Sequence, residues 1–312
     1  MSETGTTTTS RRLAPASALV GDALPRSASP GSRVRTAFLR NPAAMFGIVL
    51  LVLMVLLAAL APVIGPDGYD QQDLRGRLKP PLWENAAGQR AWLGTDSLGR
   101  DILVRIAYGA RVSLVVAAVG LGIGGGLGAL IGLLAGVAGG WIDTALMRLA
   151  DAQLAMPSLL LSIAIIALLG ANVWTLLLVL SLRTWVVIAR PLRSAVLSIR
   201  EHEFVLAATS LGASRARVAA RHILPEAVAP LIVMTTAQLG ALILLESTLS
   251  FLGLGIQPPA PSWGNMLSSG QPYMTVAWWV PAMPGLAILV AVLGTNLVGD
   301  GLRDALDPRL KA

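Results

Sequence analysis

The 312-residue chain has no cysteine. That excludes disulfides, thiolate metal ligands and a cysteine nucleophile, and leaves the compartment open. Lysine is nearly missing as well. Lys79 and Lys311 are the only two, and neither stands in a Gly-x4-Gly-Lys-Ser/Thr loop, so the chain has no recognised phosphate cradle for ATP. No His-Glu-x-x-His pair and no Gly-x-Ser-x-Gly elbow occurs. The two histidines, His202 and His222, flank one polar segment and suit packing or hydrogen bonding better than catalysis. A Gly120-x-Gly122-x-x-Gly125 match follows no strand pattern and lies inside an apolar run, which disqualifies it as a dinucleotide fingerprint. The expectation is a chain that is not an enzyme, with no cofactor and no metal site.

Charge is scarce too. Only 13% of residues are Asp, Glu, Lys or Arg, about half of the roughly 25% usual in soluble domains. Apolar residues make up 54% and gather into long runs. Six of these approach the length that crosses about 30 Å of hydrocarbon: 43–64, 112–137, 154–169, 173–189, 227–249 and 280–298, the third and fourth being short. The fold class is therefore an all-α membrane protein with six transmembrane helices. The net charge of +7 comes from arginines beside the runs, with no aromatic-basic platform, so the arginines read as topology signals and no nucleic acid is expected. Six arginines (11, 12, 26, 33, 35 and 40) precede the first run. Seven more (183, 190, 193, 200, 215, 217 and 221) lie at or after the end of the fourth, and the turn at 170–172 has none. Both termini are then expected in the cytoplasm of a multi-pass protein of a bacterial inner membrane.

Residues 1–37 are expected to form a disordered cytoplasmic tail, 38–111 a first span with an extracytoplasmic segment, and 112–312 a five-helix core with a polar loop at 200–225. Ala59-Leu60-Ala61 has the look of a cleavage site, but its apolar run is about 20 residues, longer than an h-region of about 7–15, so an uncleaved span is expected.

Within the runs, Gly120, Gly124, Gly128, Gly132, Gly136 and Gly140 recur at every fourth position. A stripe of this kind lets a second helix approach closely, either as a moving interface or as static packing. Polar groups at membrane depth are few: Gln238 and Glu246 in the fifth run, Arg183 in the fourth, Asn296 in the sixth. Glu246 and Gln238 are candidates for a translocation path; a loop donor near the outer end of its span would equally make Glu246 structural, and the stem of Arg183 could snorkel inward. Outside, Asp96 and Arg100, and likewise Asp101 and Arg105, are four apart and would pair on one helix face, as contacts for a partner or as a solvated amphipathic helix. Trp263, Tyr273, Trp278 and Trp279 in the last outer loop suit an interfacial belt.

The most informative segment is 203–225, EFVLAATSLGASRARVAARHILP, a charged island between two apolar runs. A short helical run to Leu211 is stopped by Gly212, a basic helix with Arg215, Arg217 and Arg221 follows, and Leu224-Pro225 is expected to end it. This elbow resembles the cytoplasmic coupling loop of ABC importer permeases, which reads Glu-Ala-Ala, three residues, Gly, nine residues, Ile-x-Leu-Pro. Ala207, Ala208, Gly212, Leu224 and Pro225 match, Leu206 stands at the glutamate position, and His222 at the Ile position. Three further blocks, 92–114 (WLGTDSLGRDILVRIAYGARVSL), 249–267 (LSFLGLGIQPPAPSWGNML) and 299–308 (GDGLRDALDP), resemble the C-type permease subunit of dipeptide, oligopeptide and nickel importers. The resemblance implies the type I permease fold, a coupling role for Glu203, Ala207, Ala208, Gly212, Arg215, Leu224 and Pro225, and a lipid-embedded heterodimer with a second permease subunit. It also implies two cytoplasmic ATPases and an extracytoplasmic solute-binding protein. Peptides are the expected cargo, with nickel or another small solute as the alternative. A stand-alone secondary transporter would need intramembrane carboxylates and an internal repeat, and only Glu246 offers the former.

Overall fold

The computed structural model describes residues 30–306 apart from 86, 87 and 89. Its first element is helix α1 (Pro30–Arg40), where the sequence predicted disorder as far as residue 37. Composition misses it because the apolar partner is remote: Phe38 packs beside Gly301 near the other end of the chain. The rest of the tail prediction, 1–29, lies outside the described residues. Asn41 then starts the first span. Its side chain accepts from the Ala43 and Ala44 N–H groups, Pro42 occupies the first helical turn, and α2 runs Pro42–Ala59. Pro62, which cannot donate a helical hydrogen bond, lies in the short α3 (Ala61–Ile64), so the run predicted as one span is two pieces.

An irregular segment follows, with a two-residue antiparallel hairpin of β1 (Trp83–Glu84) and β2 (Arg90–Ala91). Asp101 accepts from the Leu103 and Val104 N–H groups and starts α4 (Ile102–Ala138). At 37 residues and 1.5 Å each, α4 is about 55 Å long, so it stands well clear of a hydrocarbon layer of about 30 Å. It begins ten residues before the predicted span.

Gly139 (φ 64°) and Gly140 (φ 58°) turn the chain into α5 (Gly140–Leu154), and α6 (Ser158–Leu169) leaves at 86° after a break of three residues. Pro157 explains the break, because the residue before a proline is pushed out of the helical region. The predicted third span is thus half of a broken pair. Alone, α6 covers about 18 Å, and the described residues hold five helices long and apolar enough to cross a membrane, or six spans if the pair counts as one. After Asn172, whose side chain caps Thr175, comes α7 (Val173–Arg200), then α8 (Glu203–Ser210), α9 (Arg215–Val218), a π turn (Ala219–Ile223), α10 (Leu224–Phe251), α11 (Trp263–Gly270) and α12 (Trp279–Leu306).

Among the spans α7 is the hub, with 56% of its most apolar window buried against 22% for α2 and 17% for the helix containing α10. Its largest partner is α4. In turn, α2 joins the bundle through α12, where Gly47 and Gly294 face each other: a Cβ on Gly47 would lie 2.8 Å from the Leu297 Cβ and 2.9 Å from the Gly294 oxygen.

Candidate functional site

Helix α8 ends in a Schellman motif. The Leu211 N–H bonds the Ala207 oxygen at 3.0 Å, Gly212 N–H bonds Thr209 at 3.0 Å, and Ala213 N–H bonds Ala208 at 3.1 Å, with Gly212 at φ 84°. The predicted turn glycine is therefore left-handed, a conformation that costs an L-residue about 1–2 kcal/mol. Ser214 caps α9 through the Arg217 N–H. The prediction that Leu224-Pro225 would end the basic helix is corrected. Residues 215–251 run on as one helix, because Leu224 N–H reaches back five residues to the Ala219 oxygen and the widened turn accommodates Pro225, which has no N–H.

The elbow has two faces. Val205, Val218, Ile223 and Ala227 are buried against Leu192, Val196 and Ile199 of α7. On the other side Phe204, Leu206 and Leu211 are exposed, Leu211 at 89%. Glu203, Ala207, Arg215, Arg217, Arg221, Leu224 and Pro225 are also exposed, while Ala208 is half-buried. The His202 ring lies edge-on to Phe204 with centroids 5.6 Å apart, and His222 stacks on the same ring at 6.3 Å, the packing role expected of the histidines. At position 206 this chain presents an isobutyl group where the resembling loops present a carboxylate.

The glycine stripe lies on α7. A Cβ would stand 2.9 Å from the Leu180 Cβ at Gly120, 2.6 Å from the Ser181 oxygen at Gly124, 2.5 Å from the Trp185 oxygen at Gly128, 2.6 Å from the Ala189 oxygen at Gly132 and 2.5 Å from Val196 Cγ1 at Gly136. Gly140 does not belong to the stripe: it lies beyond the end of α4 with open space around it. The seam and the elbow share residues. Val196 touches Gly136 and belongs to the elbow's buried cluster, and Arg200 Nη1 donates to the Gly136 oxygen at 2.7 Å. Sequence offered no sign of this last bond beyond an arginine in the final turn of a helix.

The intramembrane polar groups separate. Gln238 lines an open cleft of about 570 Å³ between α7, α10 and α12. Glu246 is fully buried, and the Ser250 hydroxyl donates to it at 2.7 Å while accepting from Ile256 N–H at 3.2 Å. It thus ties α10 to the loop that follows it and lies away from the cleft that Gln238 lines. Asn296 is exposed. Arg183 is half-buried, and its Nη1 is buried without a hydrogen-bond partner among the described residues at the α5–α6 break. Among the described residues no group of three or more His, Asp or Glu is arranged to hold a metal ion.

The charge pairs at 96–105 are rearranged relative to the sequence pattern. Asp96 is not on a helix, and it accepts from both Arg100 Nε (2.8 Å) and Arg105 Nη1 (2.5 Å). Asp101 is spent on the α4 cap and leaves Arg105 free for Asp96. Asp96 and Arg105 are both 5% exposed, so neither a solvated helix nor a contact surface describes them. Burial alone would raise the Asp96 pKa, but the Arg105 and Arg100 guanidiniums and the Leu98 and Arg100 N–H groups hold it below its ordinary value. Burial raises Asp101. The aromatic belt is also corrected in part. Trp263 is fully buried and donates to the Ile106 oxygen at 3.1 Å, clasping the first turns of α4, and Trp279 is buried and donates to the Thr95 oxygen at 3.4 Å, holding the segment before α4; Trp278 is exposed.

Comparison with known proteins adds family context. Residues 128–312 match the family described as binding-protein-dependent transport system inner membrane component. Residues 29–81 match the N-terminal TM domain of oligopeptide transport permease C. Among curated proteins, a dipeptide transport system permease protein DppC of Alkalihalophilus pseudofirmus is 40% identical over 88% of each chain. A di/tripeptide transport system permease protein DppC of Pseudomonas aeruginosa is 41% identical over 91% of this chain and 93% of its own. A putative peptide permease protein of Brucella suis is 37% identical over 93% and 95%.

Proposed function

The chain belongs to the family of binding-protein-dependent transport system inner membrane components, as an ABC importer permease, and we propose that its cargo is peptides and that the elbow at 203–225 couples it to a separate ATPase. The similar proteins with dipeptide, di/tripeptide and peptide names support peptides over nickel. In this proposal the chain pairs with a second permease subunit to form the pore, two ATPases dock from the cytoplasm, and a solute-binding protein delivers cargo from outside. Both termini lie inside, a topology supported by the arginine placement and requiring the broken α5–α6 pair to cross once.

The observation that carries the coupling role is the two-faced elbow. Its apolar side, Phe204, Leu206 and Leu211, stays exposed among the described residues, and its arginines suit an acidic rim on the partner. Its buried side is packed into the inner ends of α7 and α10. A force on the docked face therefore reaches α7 directly, and through the glycine seam α4. Gln238 and its cleft are proposed as part of the path that opens.

Leu211→Glu is the direct test. The side chain is 89% exposed, so the permease itself should change by no more than about 0.5 kcal/mol. A docking anchor lost is worth about 2 kcal/mol or more, roughly thirtyfold in ATPase affinity. The purified permease pair should keep its melting temperature, while ATP-driven uptake in proteoliposomes falls steeply. Gly212→Glu should behave similarly through distortion of the left-handed turn. Wild-type uptake in both variants would remove the elbow from the coupling pathway.

A further inference from the structure

We propose that Arg183 and the cavity at the α5–α6 break form a carboxylate site for the free C-terminus of the passing peptide, a proposal that rests on the peptide cargo above. Arg183 lies ten residues into α7, about 15 Å along it, which is near the middle of a hydrocarbon layer of about 30 Å. A guanidinium at that depth demands an anion or several acceptors. The other arginines of α7 each have one: Arg190 pairs with Asp151, Arg193 with Asp143, and Arg200 with the Gly136 oxygen. Arg183 has none among the described residues, and its Nη1 is buried. The missing partner is an anion supplied from outside this chain.

The cavity beside it is built to take a small anionic group. Its volume is about 170 Å³, roughly the share of six liquid waters. Ser158, Ser162 and Gln153 line it with Arg183, and the remaining walls are aliphatic. The first turn of α6 opens there with no side-chain cap, leaving main-chain N–H groups and the positive end of a twelve-residue helix without a partner among the described residues. Gln153 holds the break in place, donating to the Leu182 oxygen and accepting from Trp185 Nε1 at 2.9 Å. One of its amide N–H groups and its oxygen are spent on the scaffold, and Ser162 donates its O–H to the Ser158 oxygen at 2.7 Å, which leaves Arg183, the Ser158 hydroxyl and the second Gln153 N–H to meet a ligand.

Position also connects the cavity to the proposed path. Arg183, Val187 and Pro191 are spaced by four and share one face of α7. Val187 lines both this cavity and the cleft that contains Gln238, and Pro191 lines that cleft as well. The guanidinium therefore stands at one end of a continuous wall. A peptide moving along that wall would lose water from its carboxylate at the depth where Arg183 lacks a counter-ion.

The test uses the complete importer in proteoliposomes, with a dipeptide and its C-terminal amide each supplied at saturating concentration. For each cargo the ratio of variant to wild-type uptake is taken, which cancels the binding protein's own preference. Arg183→Gln should reduce uptake of the free acid about tenfold or more, the range for a lost charged hydrogen bond, and leave the amide within about twofold. Arg183→Lys should restore part of the difference. Equal losses for both cargoes would overturn the site in favour of a packing role. Loss of the second permease from the purified complex would overturn it differently, by showing that the anion is a side chain of that subunit. A wild-type importer that moves neither peptide would overturn the peptide cargo itself, and the carboxylate site with it.

Discussion

Gly128→Leu is expected to abolish recovery of the folded permease. The Cβ alone would stand 2.5 Å from the Trp185 oxygen and 3.0 Å from the Ile188 Cβ, and the first of these is main chain that no rotamer change can move. Forcing α4 away from α7 would separate the most extensive helix pair in the bundle. Even Gly128→Ala should cost about 1–3 kcal/mol, the usual penalty of overpacking a filled core, read as a lower melting temperature in detergent. Gly122 and Gly126 supply the internal control. They lie on the same helix with nothing within 4 Å of a Cβ, so alanine there should be neutral or slightly stabilising through helix propensity. If Gly128→Leu matched wild type in yield and melting temperature, close approach along the stripe would not be what holds these helices.

Asp96→Asn should be the second severe change. Asn keeps the shape but withdraws the charge that faces two guanidiniums, one of them on Arg105, which is 5% exposed. Stranding one member of a buried pair typically costs about 3–5 kcal/mol, enough to loosen the preceding segment from the start of α4. The sign of the pH response follows from the depressed pKa. Stability contributed by Asp96 is fully present above the ordinary value of 3.8 and is lost only as pH falls through the lower folded value. Asp101 works in the opposite sense: its pKa is raised, so protonation between that raised value and 3.8 relieves a buried charge and offsets part of the loss. Hydrogen exchange of the amides of 94–106 should therefore stay slow in wild type down to about pH 4 and be fast in Asp96→Asn at neutral pH. Slow exchange in the variant at neutral pH would show that hydrogen bonding alone, without the ion pairs, holds the segment.

The sequence made the spans legible where apolarity and helicity coincide. Val173 starts α7 as predicted, and α10 and α12 begin within three residues of their expected starts. Hydropathy stopped reading α7 at 189, although the helix continues to Arg200, because arginine and serine interrupt apolarity without opposing a helix. The same blindness cut ten residues from the start of α4. The broken third span was hidden for the opposite reason: its run is continuously apolar, and only Pro157 marks the 86° bend. At the candidate site, Gly212 was legible because a left-handed turn leaves few choices of residue. The partner of the glycine stripe was not, since spacing shows that some helix approaches closely but not which one. Charge spacing misled at Asp101 and Arg105, where a helix cap claimed the carboxylate first.

The π turn at 219–223 holds one residue more than an α turn would, between α9 and the cleft-lining part of α10. In gearing terms it sets the angle at which two wheels are keyed to one shaft. Each residue of an α-helix advances the azimuth by about 100°. Removing one residue here would leave both ends helical and would turn the exposed Arg215 and Arg217 by about that angle relative to Gln238. The compass bearing of the elbow against the cleft is thus written in a single extra residue of the backbone rather than in any side chain.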